Sequence, residues 1–271
     1  AIRLTTVRLG TGGELTYSYT NHGDVSVVTF PGGSQRTYLY NEPSQICPAS
    51  MPSACTRSAP TVFRHALTGI VDERNQRFAT YAYDDKYRVI LSERTAGAGK
   101  VTLEYVDNAN VDVRSEYDVA GTPKRRQRFV FQVVRNVFKR LTATRDYELP
   151  SDTLLRQSSR SFTGDDLTLS TDFRNVSTQR VFLADRTTSI TEALSTTSAR
   201  TTTLVWDEAT NRVSSRTMGG QRVDSVFNGR GQISARCEVD LAITAAAAYS
   251  CAGVSAAPLG VRKTTYAYCE S

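Results

Sequence analysis

The chain has 271 residues, a formal net charge of +6 and a pI near 9.1. Because its 33 basic residues are interleaved with 27 acidic ones, this mild bias permits weak attraction to acidic surfaces but predicts no specific nucleic-acid partner. Mean hydropathy is −0.35, and the longest mostly apolar run, residues 241–249, is too short to cross a bilayer. Abundant Thr, Val and aromatic residues favour an all-β fold. The chain begins at Ala1 without Met, so we expect a processed protein or a piece of a larger one.

Short alternating runs separated by turns begin near the N terminus. Residues 10–13 are Gly-rich and precede a strand-like run at 15–19, which favours a turn over a phosphate-binding loop, because such a loop needs a helix after it. A second strand is predicted at 25–30, a Gly-containing turn at 31–34 and a third strand at 36–40. This order of strands and tight turns predicts antiparallel hairpins.

Two irregular segments interrupt the rhythm. The first, near 42–61, contains four of the eight prolines and reads as an inserted loop. The second, near 238–260, contains four consecutive alanines at 245–248, which predict one short helical turn.

Four of the five cysteines accompany these loops. Cys47 and Cys55 are candidates for one local disulfide, and Cys237 and Cys251 for another. The fifth is Cys269, and the odd count leaves at least one thiol free or paired elsewhere. Neither spacing resembles a C-x-x-C zinc pair, so no metal site or cofactor is predicted.

The stretch 78–90 shows one unit in full, with a strand at 78–83, a polar reversal at 84–86 and a second strand. Tyr81 and Tyr83 alternate with a small residue, which predicts both rings on one face. Asp84 follows at the position where a tight turn needs a side chain that hydrogen-bonds the local backbone.

The middle of the chain continues this pattern. Residues 96–100 predict a hairpin turn, and 107–112 a turn rather than a calcium loop, because Ala109 and Val111 occupy ligand positions. The basic run at 124–128 predicts a solvated strand edge in preference to a nucleic-acid patch. Residues 147–158 are predicted to form a loop.

Aromatic residues recur at a nearly constant interval. Tyr19 and Tyr40 are 21 residues apart, Tyr83 and Tyr105 are 22 apart, and intervals of 20 to 24 continue after residue 162. A single hairpin is marginal, so a period of this length indicates a repeat array whose units stack to bury the aromatic face. The predicted anchors, including turn residues, are Tyr17, Tyr19, Gly23, Tyr38, Tyr40, Tyr81, Tyr83, Asp84, Tyr105, Tyr117, Asp118, Gly121, Phe162, Phe182, Trp206, Asp207, Phe227, Gly231, Tyr266 and Tyr268.

The repeated unit resembles a known family. Residues 80–84, followed by 88–90, look like the tyrosine–aspartate (YD) repeat of RHS-type proteins, and Tyr117, Asp118 and Gly121 keep the family's spacing. The turn Gly of the motif is replaced by tyrosine at position 87. Looser matches are Tyr19 with Gly23, Tyr38 with Tyr40 and Asn41, Trp206 with Asp207, Phe227 with Gly231, and Tyr266 with Tyr268.

The resemblance implies an antiparallel sheet that spirals into a hollow shell. In bacterial members the shell encloses a toxic C-terminal domain until delivery, and related animal proteins use the barrel in cell-surface adhesion. For this chain it implies one repeat array over residues 1–271, forming a shell segment of a secreted or cell-surface bacterial protein. The implied role is to encapsulate or present a cargo or toxin domain without catalysis. The implied partners are the remaining repeats of a larger parent chain or the enclosed toxin domain.

An alternative function uses the exposed sheet face. Aromatic and Arg residues are common binding anchors, so the chain is also a candidate extracellular adhesion or carbohydrate-binding module for a cell-surface glycan or protein. The sequence matches neither the self-cleavage region that usually ends such a shell nor a toxin domain. We therefore expect an internal stretch of shell or a short divergent relative.

No catalytic constellation is evident in the sequence. His22 lies in a predicted turn and His65 at a strand entry, and neither belongs to a metal-ligand helix motif or a nucleophile elbow. The acidic pairs at 84–85 and 165–166 predict turn caps rather than acid–base carboxylates. We therefore expect a protein that is not an enzyme, with no catalytic, cofactor-binding or metal-binding residues.

Overall fold

The computed structural model describes residues 3–10, 12–51, 55, 63–135 and 138–268. Strands dominate this part of the chain, which confirms the all-β prediction. The chain divides into two compact units, Ala1–Arg156 and Gln157–Ser271. Among the described residues, no helix is long and apolar enough to cross a membrane.

The first unit contains eleven complete strands in its described part, and each pairs antiparallel with the next in sequence. Tight turns join most of them, so the strand order follows the chain. The strands are β1 Thr6–Arg8, β2 Glu14–Tyr19, β3 Val25–Thr29, β4 Gln35–Tyr40, β5 Leu67–Val71, β6 Arg77–Tyr83, β7 Val89–Arg94, β8 Val101–Tyr105, β9 Asn110–Tyr117, β10 Pro123–Val134 and β11 Phe138–Glu148.

The second unit is also an antiparallel meander. Its strands also pair antiparallel in sequence order, and one helical turn, α1 Thr244–Ala247, lies before the last strand. The strands are β12 Thr153–Thr163, which begins in the first unit, β13 Asp166–Thr171, β14 Ser177–Leu183, β15 Arg186–Glu192, β16 Arg200–Asp207, β17 Arg212–Met218, β18 Gln221–Phe227, β19 Ile233–Asp240 and β20 Val261–Thr265.

Few side chains are fully buried in either unit. Strands contact chiefly their sequence neighbours, and most strand residues are half-buried or exposed. Such a fold is quasi-one-dimensional, since each hairpin is stabilised by the hairpins beside it. The buried apolar residues are Val28, Ile46, Ala66, Ala79, Ala82 and Ile90 in the first unit and Ala235, Cys237, Val239, Ala246, Tyr249 and Cys251 in the second.

The first inserted loop is tied to the sheet at its start. Glu42 accepts two hydrogen bonds from the Arg77 guanidinium, at 2.8 and 2.9 Å, and these bonds lower the pKa of the Glu42 carboxyl. Cys47 forms a disulfide with Cys55. Residues 52–54 and 56–62 of the predicted loop lie outside the described residues.

The second inserted loop packs on β19. A disulfide joins Cys237 to Cys251, and the Arg222 guanidinium donates to the carbonyls of Ala247 and Tyr249 at 3.0 and 2.8 Å. The predicted helical turn at 245–248 is present as α1. Cys269 lies outside the described residues.

Two local predictions are wrong. Residues 147–158 are not a loop, because β11 runs to Glu148 and β12 starts at Thr153, with a turn between them. The residues of β12 are almost all exposed, so the strand carries no apolar alternation that a sequence pattern could reveal.

The basic run at 124–128 is not a sheet edge, since β10 pairs with both β9 and β11. Its charge is neutralised within the sheet. Arg128 donates to both carboxylate oxygens of the buried Asp112, at 2.6 and 2.7 Å, which raises the Arg128 pKa. Arg126 contacts Asp152 at 2.8 Å. The run is therefore a line of ion pairs within the sheet.

Candidate functional site

The repeated turn is the most regular feature of the chain. It has five residues, and the side chain of the first accepts hydrogen bonds from the backbone N–H groups of the third and fifth. The fourth residue has positive φ, as in a type I turn followed by a left-handed residue. The first and fourth residues are Thr20 and Gly23, Asp72 and Asn75, Asp84 and Tyr87, Asp118 and Gly121, Asp172 and Asn175, and Asn228 and Gly231.

The Asp84 turn differs from its copies in two ways. The Asp84 side chain is 1% exposed and forms a 2.6 Å ion pair with Arg88. Tyr87 occupies the left-handed position at φ 63, which is costly for a bulky residue. Its ring stacks on Tyr83 at 5.6 Å and meets Phe63 edge-on at 4.8 Å, and these contacts offset the strain.

At several strand ends an aromatic side chain links one hairpin to the previous one. Tyr40 Oη donates to the carbonyl of Val25, and Val25 is the partner of Tyr19. Tyr83 donates to the carbonyl of Leu67, the partner of Tyr40. We call this chain of bonds the aromatic ladder. Its other rungs are Tyr19 to Leu4, Tyr105 to Val89, Trp206 Nε1 to Thr187 and Tyr268 to Ile233.

Burial raises the pKa of three of the ladder hydroxyls. Desolvation by burial raises the pKa of Tyr83 and of Tyr105, and it raises the pKa of Tyr40 with a smaller contribution from Asp24. A phenol with a raised pKa remains a hydrogen-bond donor at every physiological pH. These three hydroxyls are therefore available as hydrogen-bond donors within the sheet.

A shift of strand register accompanies most ladder residues. The partner strand contains one extra residue beside Tyr19, Tyr40 and Tyr83, and likewise beside anchors of the second unit. Such a bulge breaks the regular ladder and leaves backbone groups to be satisfied.

A hydroxyl on the extra residue satisfies one of these groups. In five of the seven units it donates to the carbonyl of the residue just before the anchor, at 3.1 to 3.2 Å. Sequence reasoning missed this role, although a Ser or Thr recurs in the return strand of most hairpins. In the unit of Tyr83 the extra residue is the buried Ile90. The hydroxyl residues are Thr68, Thr168, Thr188, Ser214 and Ser234.

Cations cover several of the anchor rings. The Arg88 guanidinium carbon lies 3.9 Å from the ring centroid of Tyr105. The guanidinium carbon of Arg186 lies 6.0 Å from the Trp206 ring, and that of Arg212 lies 5.8 Å from the Phe227 ring. A planar guanidinium stacks well on an aromatic face.

The remaining predicted anchors have different environments. Tyr117 Oη hydrogen-bonds the Thr102 hydroxyl instead of a carbonyl, and Lys100 lies 4.9 Å from its ring. The Thr210 hydroxyl donates to the Asp207 carboxylate and lowers its pKa, and the Thr210 backbone N–H adds a 2.8 Å bond that acts in the same direction. Tyr17, Tyr38, Tyr81, Phe162, Phe182 and Phe227 are half-buried, and Tyr266 is exposed.

The structure brings the two histidines together, which their separate sequence positions did not predict. His65 Nδ1 lies 2.9 and 3.0 Å from the two carboxylate oxygens of Asp24. The His22 ring lies 6.3 Å from the His65 ring at an angle of 73°. Within the described part of the chain, no group of three or more His, Cys, Asp or Glu residues is arranged to hold a metal ion.

Comparison with known proteins gives only distant structural likenesses. No family model and no curated protein matches the chain. Solved structures that are similar to it include the Photorhabdus luminescens Tc holotoxin pore carrying a mutant TccC3, with 9% identity, TM-score 0.25 and coverage of 83% of this chain and 15% of that one. Another is TcdB2-TccC3 without its hypervariable C-terminal region, with 9% identity, TM-score 0.29 and coverage of 86% and 14%. The chain thus spans about one seventh of the length of these solved chains.

Proposed function

We propose that the chain is a non-catalytic structural segment of an RHS-type shell in a secreted or cell-surface bacterial protein. Its role is to encapsulate or present a cargo or toxin domain, and its partners are further repeats of a parent chain or that domain. The observation that carries this proposal is the aromatic ladder, in which six aromatic side chains each donate to the backbone of an earlier repeat. A ladder of this kind extends a sheet by adding identical units.

The burial pattern supports the same role. A sheet buries at least one face against a second layer in an ordinary domain, whereas here contacts run chiefly between neighbouring strands and few side chains are fully buried. A half-exposed sheet face needs a covering surface. An enclosed domain or another turn of the same sheet provides one.

Limited proteolysis of the protein purified from its native source tests the proposal. We expect a cargo fragment that resists protease while the shell is intact and becomes sensitive once the shell is unfolded with denaturant. Uniform digestion of the whole protein under native conditions, with no protected fragment, would contradict encapsulation.

A groove in the second unit favours a second candidate function, adhesion to acidic glycans. The groove has a volume of about 630 Å³ and contains Arg160, Ser170, Thr178, Glu192 and Arg200. Arg160 pairs with Ser170, Ser170 with Thr178, and Glu192 with Arg200, so guanidinium groups flank a row of hydroxyls on one face. Guanidinium groups bind carboxylate and sulfate in bidentate fashion.

A glycan array distinguishes adhesion from a purely structural role. Adhesion predicts saturable binding to carboxylated or sulfated glycans that is lost in Arg160→Gln and Arg200→Gln. Arg216→Gln, outside the groove, is the matched control and should keep binding. A chain that only builds a shell shows no saturable binding in any variant.

A further inference from the structure

We propose that His22 and His65 form a surface binding site for a divalent transition-metal ion such as Zn²⁺, Ni²⁺ or Cu²⁺. They are the only histidines of the chain, they lie 43 residues apart in sequence, and the fold places their rings 6.3 Å apart. Imidazole nitrogens are among the preferred ligands of these metals. Water molecules complete the coordination, so the site needs no third protein ligand.

The ring separation suits a shared metal. With metal–nitrogen bonds of about 2.0–2.1 Å, each imidazole centroid lies roughly 3.2 Å from the ion, so two centroids can be up to about 6.4 Å apart. A tetrahedral angle at the metal brings them to about 5.2 Å. Both histidines are exposed, so side-chain rotation can supply the difference of roughly 1 Å.

Asp24 prepares His65 for coordination. Its carboxylate accepts the hydrogen bond from Nδ1, which places the proton on Nδ1 and leaves the Nε2 lone pair for a metal. A carboxylate in this position is the usual outer partner of a metal-binding histidine, and it increases the basicity of the ligand. Asp24 is therefore assigned as a positioning residue and not as a metal ligand.

The surrounding turns fix the backbone positions of the two histidines. His22 lies in the repeated turn, where its N–H donates to the Thr20 hydroxyl. His65 lies in a turn closed by a 2.8 Å bond from Ala66 N–H to the Phe63 carbonyl. The N–H of Phe63 in turn donates to the Asn41 side chain at 2.7 Å. Two well-bonded turns thus present the imidazoles, which limits the entropy lost when a metal is bound.

Calorimetric titration of the chelator-treated chain with ZnCl₂ or NiCl₂ tests this site, with free thiols blocked beforehand to remove binding at Cys269. We expect one metal per chain. His22→Ala and His65→Ala should each weaken binding at least tenfold, and Asp24→Asn should weaken it by about tenfold. Asp72→Asn, in a turn without histidine, is the matched control and should bind as the wild type does.

Spectra locate the metal independently of affinity. Substoichiometric Cu²⁺ should broaden the backbone NMR signals of residues 20–24 and 63–66 before any others, and circular dichroism of each variant should match the wild type. The proposal is overturned if the wild type binds no metal up to millimolar concentration, or if the double variant His22→Ala, His65→Ala binds with unchanged affinity. Either result leaves the shell proposal intact, because that proposal does not depend on the histidines.

Discussion

The hydroxyl of Tyr40 donates a 3.0 Å hydrogen bond to the backbone carbonyl of Val25. Val25 is paired with Tyr19, the equivalent aromatic residue of the preceding hairpin. One side chain therefore joins two hairpins through the backbone of the first. Because the acceptor is a backbone carbonyl, this hydrogen bond does not depend on the identity of the side chain at position 25.

We expect Tyr83→Phe to destabilise the first unit by about 1 kcal/mol, since it removes the hydroxyl that donates to the Leu67 carbonyl and keeps the ring. Urea unfolding followed by circular dichroism measures the change. Tyr81→Phe, two residues earlier in β6, is the matched control because Tyr81 is not a rung of the ladder. Equal losses of unfolding free energy in the two variants would show that the Tyr83 hydrogen bond does not contribute to stability.

We expect Gly231→Ala to destabilise the second unit by about 1 kcal/mol, because position 231 has φ 73 and an alanine there is strained. A Cβ at this position would meet only Arg212, at 3.6 Å or more, so the loss reports backbone strain and not a clash. Gly229→Ala in the same turn meets nothing within 4 Å and has no positive φ. Thermal unfolding of this control should differ little from the wild type.

We expect Thr188→Val to lower the free energy of unfolding by about 1 kcal/mol, because it removes the hydroxyl that donates to the Val181 carbonyl and leaves that carbonyl unsatisfied. Thr187→Val changes the neighbouring residue, whose contribution to the ladder is its backbone carbonyl, and should be nearly neutral. Hydrogen exchange of β14 and β15 provides a second, local readout. The bulge hydroxyls have no structural role if both variants unfold as the wild type does.

The turn aspartates predict a loss of stability in acid. Backbone hydrogen bonds from Thr122 and a side-chain bond from Lys124 lower the pKa of Asp118, and the N–H of Val176 and the side chain of Arg174 lower that of Asp172. A lowered folded-state pKa contributes stability above the unfolded-state value of about 3.9, and that stability is lost as the pH falls through the folded-state value. Asp118→Asn and Asp172→Asn should therefore flatten the stability profile below about pH 4.

Asn is a suitable replacement in this experiment because Asn228 occupies the same turn position and accepts the same two backbone hydrogen bonds. The variants should thus keep their turns at neutral pH. The measurement is denaturant unfolding at a series of pH values. If the free energy of unfolding of the double variant falls with pH below about pH 4 as steeply as that of the wild type, the two aspartates do not cause the loss of stability in acid.

We expect Arg88→Met to destabilise the first unit by about 3 kcal/mol or more, because it leaves the buried Asp84 carboxylate without its ion-pair partner and removes the cation from the Tyr105 ring. Adding Asp84→Asn should recover part of the loss, since it removes the unpaired charge. Arg8→Met breaks an exposed ion pair with Glu14 and should change stability by less than about 1 kcal/mol. Equal effects of the two Arg substitutions would refute the argument from burial.

Local chemistry explains which features could be predicted from the sequence. Strand and turn formation depend largely on residues within a few positions of each other. The sequence pattern therefore predicts the aromatic period, the all-β class and the aspartate at the turn of residues 84–88. The strand β12 was missed because exposure on both faces removes the apolar alternation. The ion pairs of 124–128 were missed because the partner Asp112 lies in the neighbouring strand β9.

The sequence by itself determined that aromatic residues recur at intervals of 20 to 24 positions in several parts of the chain, and that Asp or Asn directly follows Tyr40, Tyr83, Tyr117, Trp206 and Phe227. Strand ends and tight turns select these residue types locally. Only the tertiary structure decided what each aromatic residue does. Pairing of successive hairpins shifts the register beside the anchor, and this shift brings the hydroxyl of Tyr83 to the carbonyl of Leu67. The same pairing brings His65 to Asp24 across 41 residues, since contacts between hairpins depend on strand register and not on sequence distance.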